Sequence, residues 1–182
     1  MAKLYTKTGD GGFTFTKIDA KTPKNNLLVH CLGNIDELNS CVGVLYSSIK
    51  PKKNNEKIIS DLKDVMDVLF HLGSFVGYGS DVSDDFICVS ITTLESAIDE
   101  QESKNLPLKN FILPTGCMSA SLAHVARSVC RRAERGLYDL EQPRHYNKVT
   151  KYLNRLSDYF FSLARTLNRL ENVEEIVWSS SK

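Results

Sequence analysis

The chain has 182 residues, 42% hydrophobic and 25% charged, the size and composition of one globular domain and too apolar for wholesale disorder. Its 23 Lys and Arg nearly cancel its 22 Asp and Glu, and a net charge of +1 argues against nucleic acid or an anionic membrane as partner, so any anion site must be built locally. Ten glycines and five prolines are few for a turn-rich all-β fold and point to long helices.

The N-terminus has no apolar run of signal-peptide length and no Arg/Ser-rich amphipathic stretch, so a cytoplasmic protein is expected. It leads into Thr6-Lys7-Thr8-Gly9-Asp10-Gly11-Gly12-Phe13-Thr14, with another cation at Lys24. Glycines let backbone N–H groups converge on an oxyanion, and Thr hydroxyls and Lys ammoniums add donors. The composition suits a polyphosphate, and equally a flexible, turn-rich N-terminus. No G-x-x-x-x-G-K-[ST] is present, so this is not a Walker A loop.

From Asn34 to Ile49, Ile35, Leu38, Val42, Leu45 and Ile49 recur at helical spacing and predict the first helix. Ile58, Leu62, Val65, Leu69, Leu72 and Val76 predict a second. Ile87, Ile91, Leu94 and Ile98 predict a shorter third that fades around Glu102. Leu122, Ala126, Val129, Ala133, Leu137 and Leu140 predict the fourth, and Leu153 through Leu170 the fifth and most regular. Breakers cluster at Lys50-Pro51 with Asn54-Asn55, from Gly77 to Asp85, from Leu106-Pro107 to Pro114-Thr115-Gly116, and at Gln142-Pro143. The fold class is therefore all-α, a five-helix antiparallel bundle. One domain spans 1–182, with an N-terminal segment at 1–32, the bundle at 33–171 and a tail at 172–182 that either covers a pocket or is disordered. No segment has the ~20 consecutive apolar residues of a membrane span. The five cysteines are odd in number and lack a C-x-x-C pair, so neither a disulfide framework nor a zinc site is indicated.

A stripe one position after each core stripe lies just beside it. On the fifth helix it holds Asn154, Asp158, Phe161 and Arg165; on the fourth, Arg127, Arg131, Glu134 and Tyr138; on the first, Asp36, Asn39 and Gly43. These stripes are either solvated shoulders or the lining of a shared cleft or subunit interface. Arg127, Arg131, Arg132 and Arg135 place four guanidiniums within nine residues, suited to bidentate phosphate or carboxylate recognition, or to balancing Glu134, Asp139 and Glu141. H-E-x-x-H, E-x-x-H and G-x-S-x-G are all absent, and His30, His71, His124 and His145 are dispersed. If the protein is an enzyme, its nucleophile arrives with the substrate.

Tyr5-Thr6-Lys7-Thr8-Gly9-Asp10 with Gly12 and Thr14, Gly33 through Asn39, Phe111-Ile112-Leu113-Pro114, His124 through Arg135 and Tyr152 through Asp158 together resemble the PduO-type ATP:cob(I)alamin adenosyltransferases. The five motifs run in family order from residue 5 to about 165. The resemblance implies a homotrimer of five-helix bundles with inter-subunit active sites. It also implies transfer of the 5′-deoxyadenosyl group of ATP to the cobalt of cob(I)alamin, giving adenosylcobalamin and triphosphate. The reduced cobalt is the nucleophile, which accounts for the missing catalytic side chains.

Carried over, the resemblance assigns the triphosphate to Thr6 through Phe15, notably Thr6, Lys7, Thr8, Gly9, Asp10, Gly12 and Thr14, together with Lys24, with Mg²⁺ helping to stabilise the departing triphosphate and its ligands left unassigned. Arg131, Arg132, Glu134, Arg135 and Asn154 complete the nucleotide site. Asp36 pairs with Arg127 across the subunit boundary. Phe111 packs below the corrin, excluding water and the dimethylbenzimidazole base, and Phe161 is a second pocket aromatic. A reductase and an adenosylcobalamin-dependent enzyme are the implied partners; the alternative is a cobalamin chaperone without turnover. Two departures stand out: Leu28 occupies the usual Arg position, and Thr115-Gly116 replaces a double glycine.

Overall fold

Five helices form where the apolar periodicity places them: α1 over Leu27–Ser48, α2 over Glu56–Tyr78, α3 over Asp84–Glu102, α4 over Met118–Leu137 and α5 over Asn147–Leu170. The computed structural model describes residues 3–16, 21–141 and 146–179; the connection at Gln142-Pro143 and His145 lie outside the described residues.

The first helix begins at Leu27 rather than Asn34, which moves the boundary of the N-terminal segment from residue 32 to residue 26. Leu27 through Leu32 contains no breaker, and the Asn26 side chain accepts from the Leu28 N–H at 2.8 Å, a side-chain N-cap. Two further helix ends differ: α4 stops at Leu137, short of Leu140, and Gly77 remains helical in α2. The chain turns at Gly79 (φ 61), whose N–H donates to Phe75 O at 2.9 Å, a left-handed C-cap. Ser83 caps α3 by accepting from the Phe86 N–H at 3.1 Å.

Consecutive helices alternate in direction. Cys31 Sγ on α1 donates to Gly136 O near the end of α4; Asn39 Nδ2 donates to Met66 O on α2, while Leu32, earlier on α1, lies against Gly77, later on α2. Cys130 Sγ donates to Leu153 O, while Cys117 N at the start of α4 donates to Asn168 Oδ1 near the end of α5. Both partners of α1, and the α4/α5 pair, are therefore antiparallel. The α3/α5 pair is different: Glu95 meets Arg155 and Glu102 meets Arg165, so these two neighbours run parallel. The antiparallel expectation holds for consecutive helices and fails for this pair, because two elements apart in an alternating chain point the same way.

The core is the predicted stripes, from Ile35, Leu38, Val42 and Leu45 on α1 to Leu153, Leu156, Phe160 and Leu163 on α5. Helix α5 is the central element: between Tyr159 and Asn168 every residue except Phe161 is buried. Among the described residues, two-residue strands β1 (Phe13–Thr14) and β2 (Thr22–Pro23) add a small antiparallel hairpin that the helical periodicity did not predict. No helix among the described residues is long and apolar enough to cross a membrane.

Candidate active site

The N-terminal segment makes two successive turns before the hairpin: Asp10 N donates to Lys7 O and Gly12 N to Gly9 O, each at 3.3 Å. Lys7 (φ 61) and Gly12 (φ 79) take left-handed backbone, which Gly12 adopts without steric cost. The hairpin then folds Lys24 back over the turns. Lys24 N donates to Gly12 O at 2.9 Å, and a Cβ at Gly9 would lie 3.1 Å from Lys24 Nζ. The Thr6 and Thr8 hydroxyls are 2.8 Å apart. Thr6, Lys7, Thr8, Asp10 and Gly12 are exposed, and Gly9 and Thr14 half-buried. The loop and its hairpin thus gather two ammoniums and two hydroxyls beside a glycine-rich turn that is mostly exposed.

A cavity of about 250 Å³ opens between α3, α4 and α5, and it collects Arg127, Arg131, Asp158 and Phe161 with Glu102 at its edge. Part of the polar stripe of α4 therefore faces part of that of α5 across this cavity, with Arg131 and Asp158 exposed at it. Arg127 Nε is buried with no hydrogen-bond partner in the described chain. Burial, then the Arg131 guanidinium one turn away, lower the Arg127 pKa from its ordinary value. Two like charges on one cavity wall, one missing a partner, are suited to an anion brought from outside. Next along α4, Glu134 accepts from Asn154 Nδ2 at 3.2 Å, which places both predicted nucleotide residues together. Arg155, between Glu95 and Asp158, holds the Asp158 carboxylate with Nη1 at 2.9 Å.

Other expected residues lie elsewhere. Arg132 points to α1 and pairs with Glu37 on the surface, so it does not join Arg131. Arg135 and Asp36 are exposed, and among the described residues no ion pair joins Asp36 to Arg127. Leu28 packs against the core from the first turn of α1. Among the described residues no hydrogen bond or ion pair joins the phosphate-type loop to Arg131 or Asn154. His124 is buried beside Phe161, its ring edge-on to that phenyl with centroids 6.0 Å apart and both ring nitrogens without a hydrogen-bond partner in the described chain. Burial, then Arg127, hold the imidazole below its ordinary pKa, with Glu175 pulling the other way.

Phe111 stands on the loop between α3 and α4, its side chain 77% exposed. The tail, left between cover and disorder by the sequence, docks on this loop. Ile112 and Val177 form an antiparallel bridge, Leu113 N donates to Ile176 O at 2.8 Å, and Trp178 N donates to Phe111 O at 2.8 Å. The Phe111 and Trp178 rings meet edge to face at 6.4 Å. A space of about 590 Å³ lies around these two rings.

The residue that sequence reading placed and did not interpret is Arg165. It is 3% exposed; Nε donates to Glu175 Oε1 at 2.9 Å, Nη1 to Glu102 Oε2 at 2.9 Å, and Nη2 to Leu106 O at 2.5 Å. The signal was available: an arginine inside the most regular apolar helix must be paired where it is buried.

Residues 4–167 match the family model described as cobalamin adenosyltransferase. The corrinoid adenosyltransferase of Bacillus subtilis is 37% identical over 181 residues, 98% of this chain and 93% of that protein. The corrinoid adenosyltransferase MMAB of Homo sapiens is 37% identical over 184 residues, 98% of this chain and 74% of that protein. Among solved structures, a variant PduO-type ATP:corrinoid adenosyltransferase from Lactobacillus reuteri complexed with cobalamin and ATP matches with a TM-score of 0.85 and 32% identity, over 98% of this chain and 100% of that one. Another variant of that protein complexed with ATP matches with a TM-score of 0.85 and 34% identity, over 97% and 100%.

Proposed function

Since the chain belongs to the cobalamin adenosyltransferase family and moves the adenosyl group of ATP onto a corrinoid, we propose that its residues divide the reaction between two ends of one bundle. The observation that carries this division is the order of groups along α4 and α5. Glu134 with Asn154 comes first, then Arg131 with Asp158, then Arg127 beside Phe161, and the Phe111 loop lies beyond the start of α4.

At one end, the Thr6–Thr14 loop and Lys24 hold the triphosphate, with Arg131, Glu134 and Asn154 on the bundle side. Arg135, exposed in the last turn of α4, adds positive charge beside them. At the other end, Phe111 lies against the lower corrin face and Phe161 lines the pocket. Cob(I)alamin brings its own nucleophile: the cobalt electron pair forms the Co–C5′ bond, the C5′–O bond breaks, and triphosphate carries away the negative charge. The protein aligns C5′ with the cobalt and stabilises the leaving group through Lys7, Lys24, Arg131 and the loop amides, donors fixed before the charge develops. Phe111, by filling the lower face, keeps water and the base from becoming an axial ligand.

Mg²⁺ fits a site where phosphate oxygens supply most of the coordination, with one or two carboxylates at most. Among the described residues no three His, Cys, Asp or Glu side chains stand together to cage a metal, and Asp10 is the carboxylate of the phosphate loop. Mg²⁺ would ride on the triphosphate and neutralise it as it departs.

The active protein is a homotrimer in this reading. Arg127 Nε is buried without a partner, and Asp36 offers an exposed carboxylate on α1, so a second copy completes the pair that one chain leaves open. The loop, which among the described residues makes no hydrogen bond or ion pair to Arg131 or Asn154, reaches them across the same boundary in this reading. A reductase supplies the electron that forms Co(I), and an adenosylcobalamin-dependent enzyme consumes the product. The free cysteines suit a reducing, cytoplasmic setting. The test is anaerobic incubation with ATP, Mg²⁺ and chemically reduced cobalamin. Adenosylcobalamin and triphosphate should form in equal amounts; a corrin spectrum that never changes would overturn the activity.

A further inference from the structure

We propose that Arg165 is a positioning residue for Phe111, acting through the C-terminal tail; the inference rests on the reading of Phe111 as the aromatic beneath the corrin. Phe111 cannot be fixed by the bundle itself. Its ring is 77% exposed and sits on the loop between the end of α3 at Glu102 and the start of α4 at Met118. What touches it is the tail. Trp178 meets the ring edge to face, and backbone bonds on both sides of Ile112 lock residues 111–113 to residues 176–178 in antiparallel register.

The tail needs an anchor of its own, because an isolated pair of short strands is marginal in water. Arg165 provides it from inside α5. Its Nε and Nη2 donate to the two oxygens of Glu175, at 2.9 and 3.4 Å, one residue before the strand that holds the loop. The same guanidinium donates to Glu102 and to Leu106 O, where the Phe111 loop leaves α3. A second tie, Val173 N donating to Asn168 O at 2.9 Å, starts the tail in the right direction. One planar fork thus holds the root of the loop and the root of its strap in a fixed relation, and the strap carries that relation to Phe111. Lysine has the charge but not the fork, so it cannot serve all three segments at once.

The arrangement separates two effects. A loose strap leaves the nucleotide end untouched, and cob(I)alamin, which needs no axial protection, still reacts. Cob(II)alamin, whose reduction depends on an empty lower face, suffers from a Phe111 ring that wanders. Displacements of about 1 Å far from the reacting atoms can cost as much as 100-fold, so a loss of roughly tenfold on the cob(II)alamin route is expected.

Trp178 is the sole tryptophan, so its emission reports strap docking with no substrate present. The experiment compares wild type, Glu175→Gln, Arg165→Met, Arg165→Lys and Trp178→Ala. Glu175→Gln and Arg165→Met should move Trp178 emission to the red and raise its quenching by acrylamide, with Arg165→Lys falling between them and wild type. Both variants, and Trp178→Ala, should slow adenosylation from cob(II)alamin plus chemical reductant by roughly tenfold while leaving cob(I)alamin turnover within about threefold. Unchanged emission in Glu175→Gln and Arg165→Met, or equal slowing on both corrin forms, would overturn the proposal. If Arg165→Met does not fold, Glu175→Gln and Trp178→Ala carry the test from the tail. Failure of the activity reading looks different: wild type then forms no adenosylcobalamin from either corrin form, while the emission changes still judge the clamp.

Discussion

Asn168 occupies the space that a side chain at Gly116 would need: a Cβ there would fall 2.0 Å from Asn168 Oδ1. Gly116 also holds φ at +139, and the buried Asn168 uses the approach to accept from Cys117 N at 2.9 Å and donate to Thr115 O at 3.2 Å, fixing where α4 begins. Gly116→Ala should therefore cost about 2–4 kcal/mol, backbone strain of ~1–3 plus one or two weakened hydrogen bonds. Thermal denaturation would show a fall of roughly 10 °C at this chain length. Thr115, whose φ is not positive, carries its side chain without that backbone strain.

Neighbouring arginines on α4 should behave in opposite ways. Arg131 faces the cavity, and its replacement by Ala should lower kcat by ~10²–10³, the scale for removing one donor to a developing charge, with helicity by circular dichroism unchanged. Arg132 pairs with Glu37 on the surface, so Arg132→Ala should cost no more than about 1 kcal/mol in stability and keep most of the turnover. Equal losses in the two variants would remove the distinction.

The subunit boundary can be tested by exchanging charge. If the proposed trimer buries this pair, Asp36→Arg and Arg127→Asp should each dissociate it, since leaving one member of a buried pair uncompensated costs ~3–5 kcal/mol. The double variant should restore the trimer mass by light scattering. A double variant no better than either single one would show that the two residues do not meet.

His124 sets a pH limit on stability. Burial, then Arg127, hold its folded pKa below the ordinary 6.5, so above that value the imidazole is neutral in both folded and unfolded chains and makes no difference. As pH falls below it, the unfolded chain gains a proton that the folded one resists, and stability declines toward the lowered folded value. Urea midpoints should thus be lower at pH 5.5 than at 7.5. In His124→Phe, which keeps an aromatic against Phe161, the difference between the two should shrink.

How much of this was legible depends on whether a residue's role is local. The core stripes were readable because burial follows helical period: Ile35, Leu38, Leu62, Leu153 and Leu163 all lie inside. Arg127, Arg131 and Phe161 were readable as neighbours of those stripes, and the cavity brings them together. The pairing of Arg132 with Glu37 was not readable because four arginines in nine residues cannot all face one way, and periodicity does not say which shoulder of α4 meets α1. The early start of α1 was missed because Asn26 acts through a single side-chain bond that a search for apolar period does not see. Arg165, Asn168 and Trp178 eluded it for a further reason: their partners lie on a loop and a tail whose positions no local pattern fixes.

Helix α4 advances about 1.5 Å per residue, so Arg131 stands roughly 20 Å from Met118, where the Phe111 loop comes in. Changes that far apart, with no shared partner, contribute to free energy additively. Under the proposed division of the two substrates between the ends of the rod, a change beside Leu28 and a change beside Thr115 should each act on one end without demanding a response from the other. Drift in corrin preference need not disturb the grip on nucleotide.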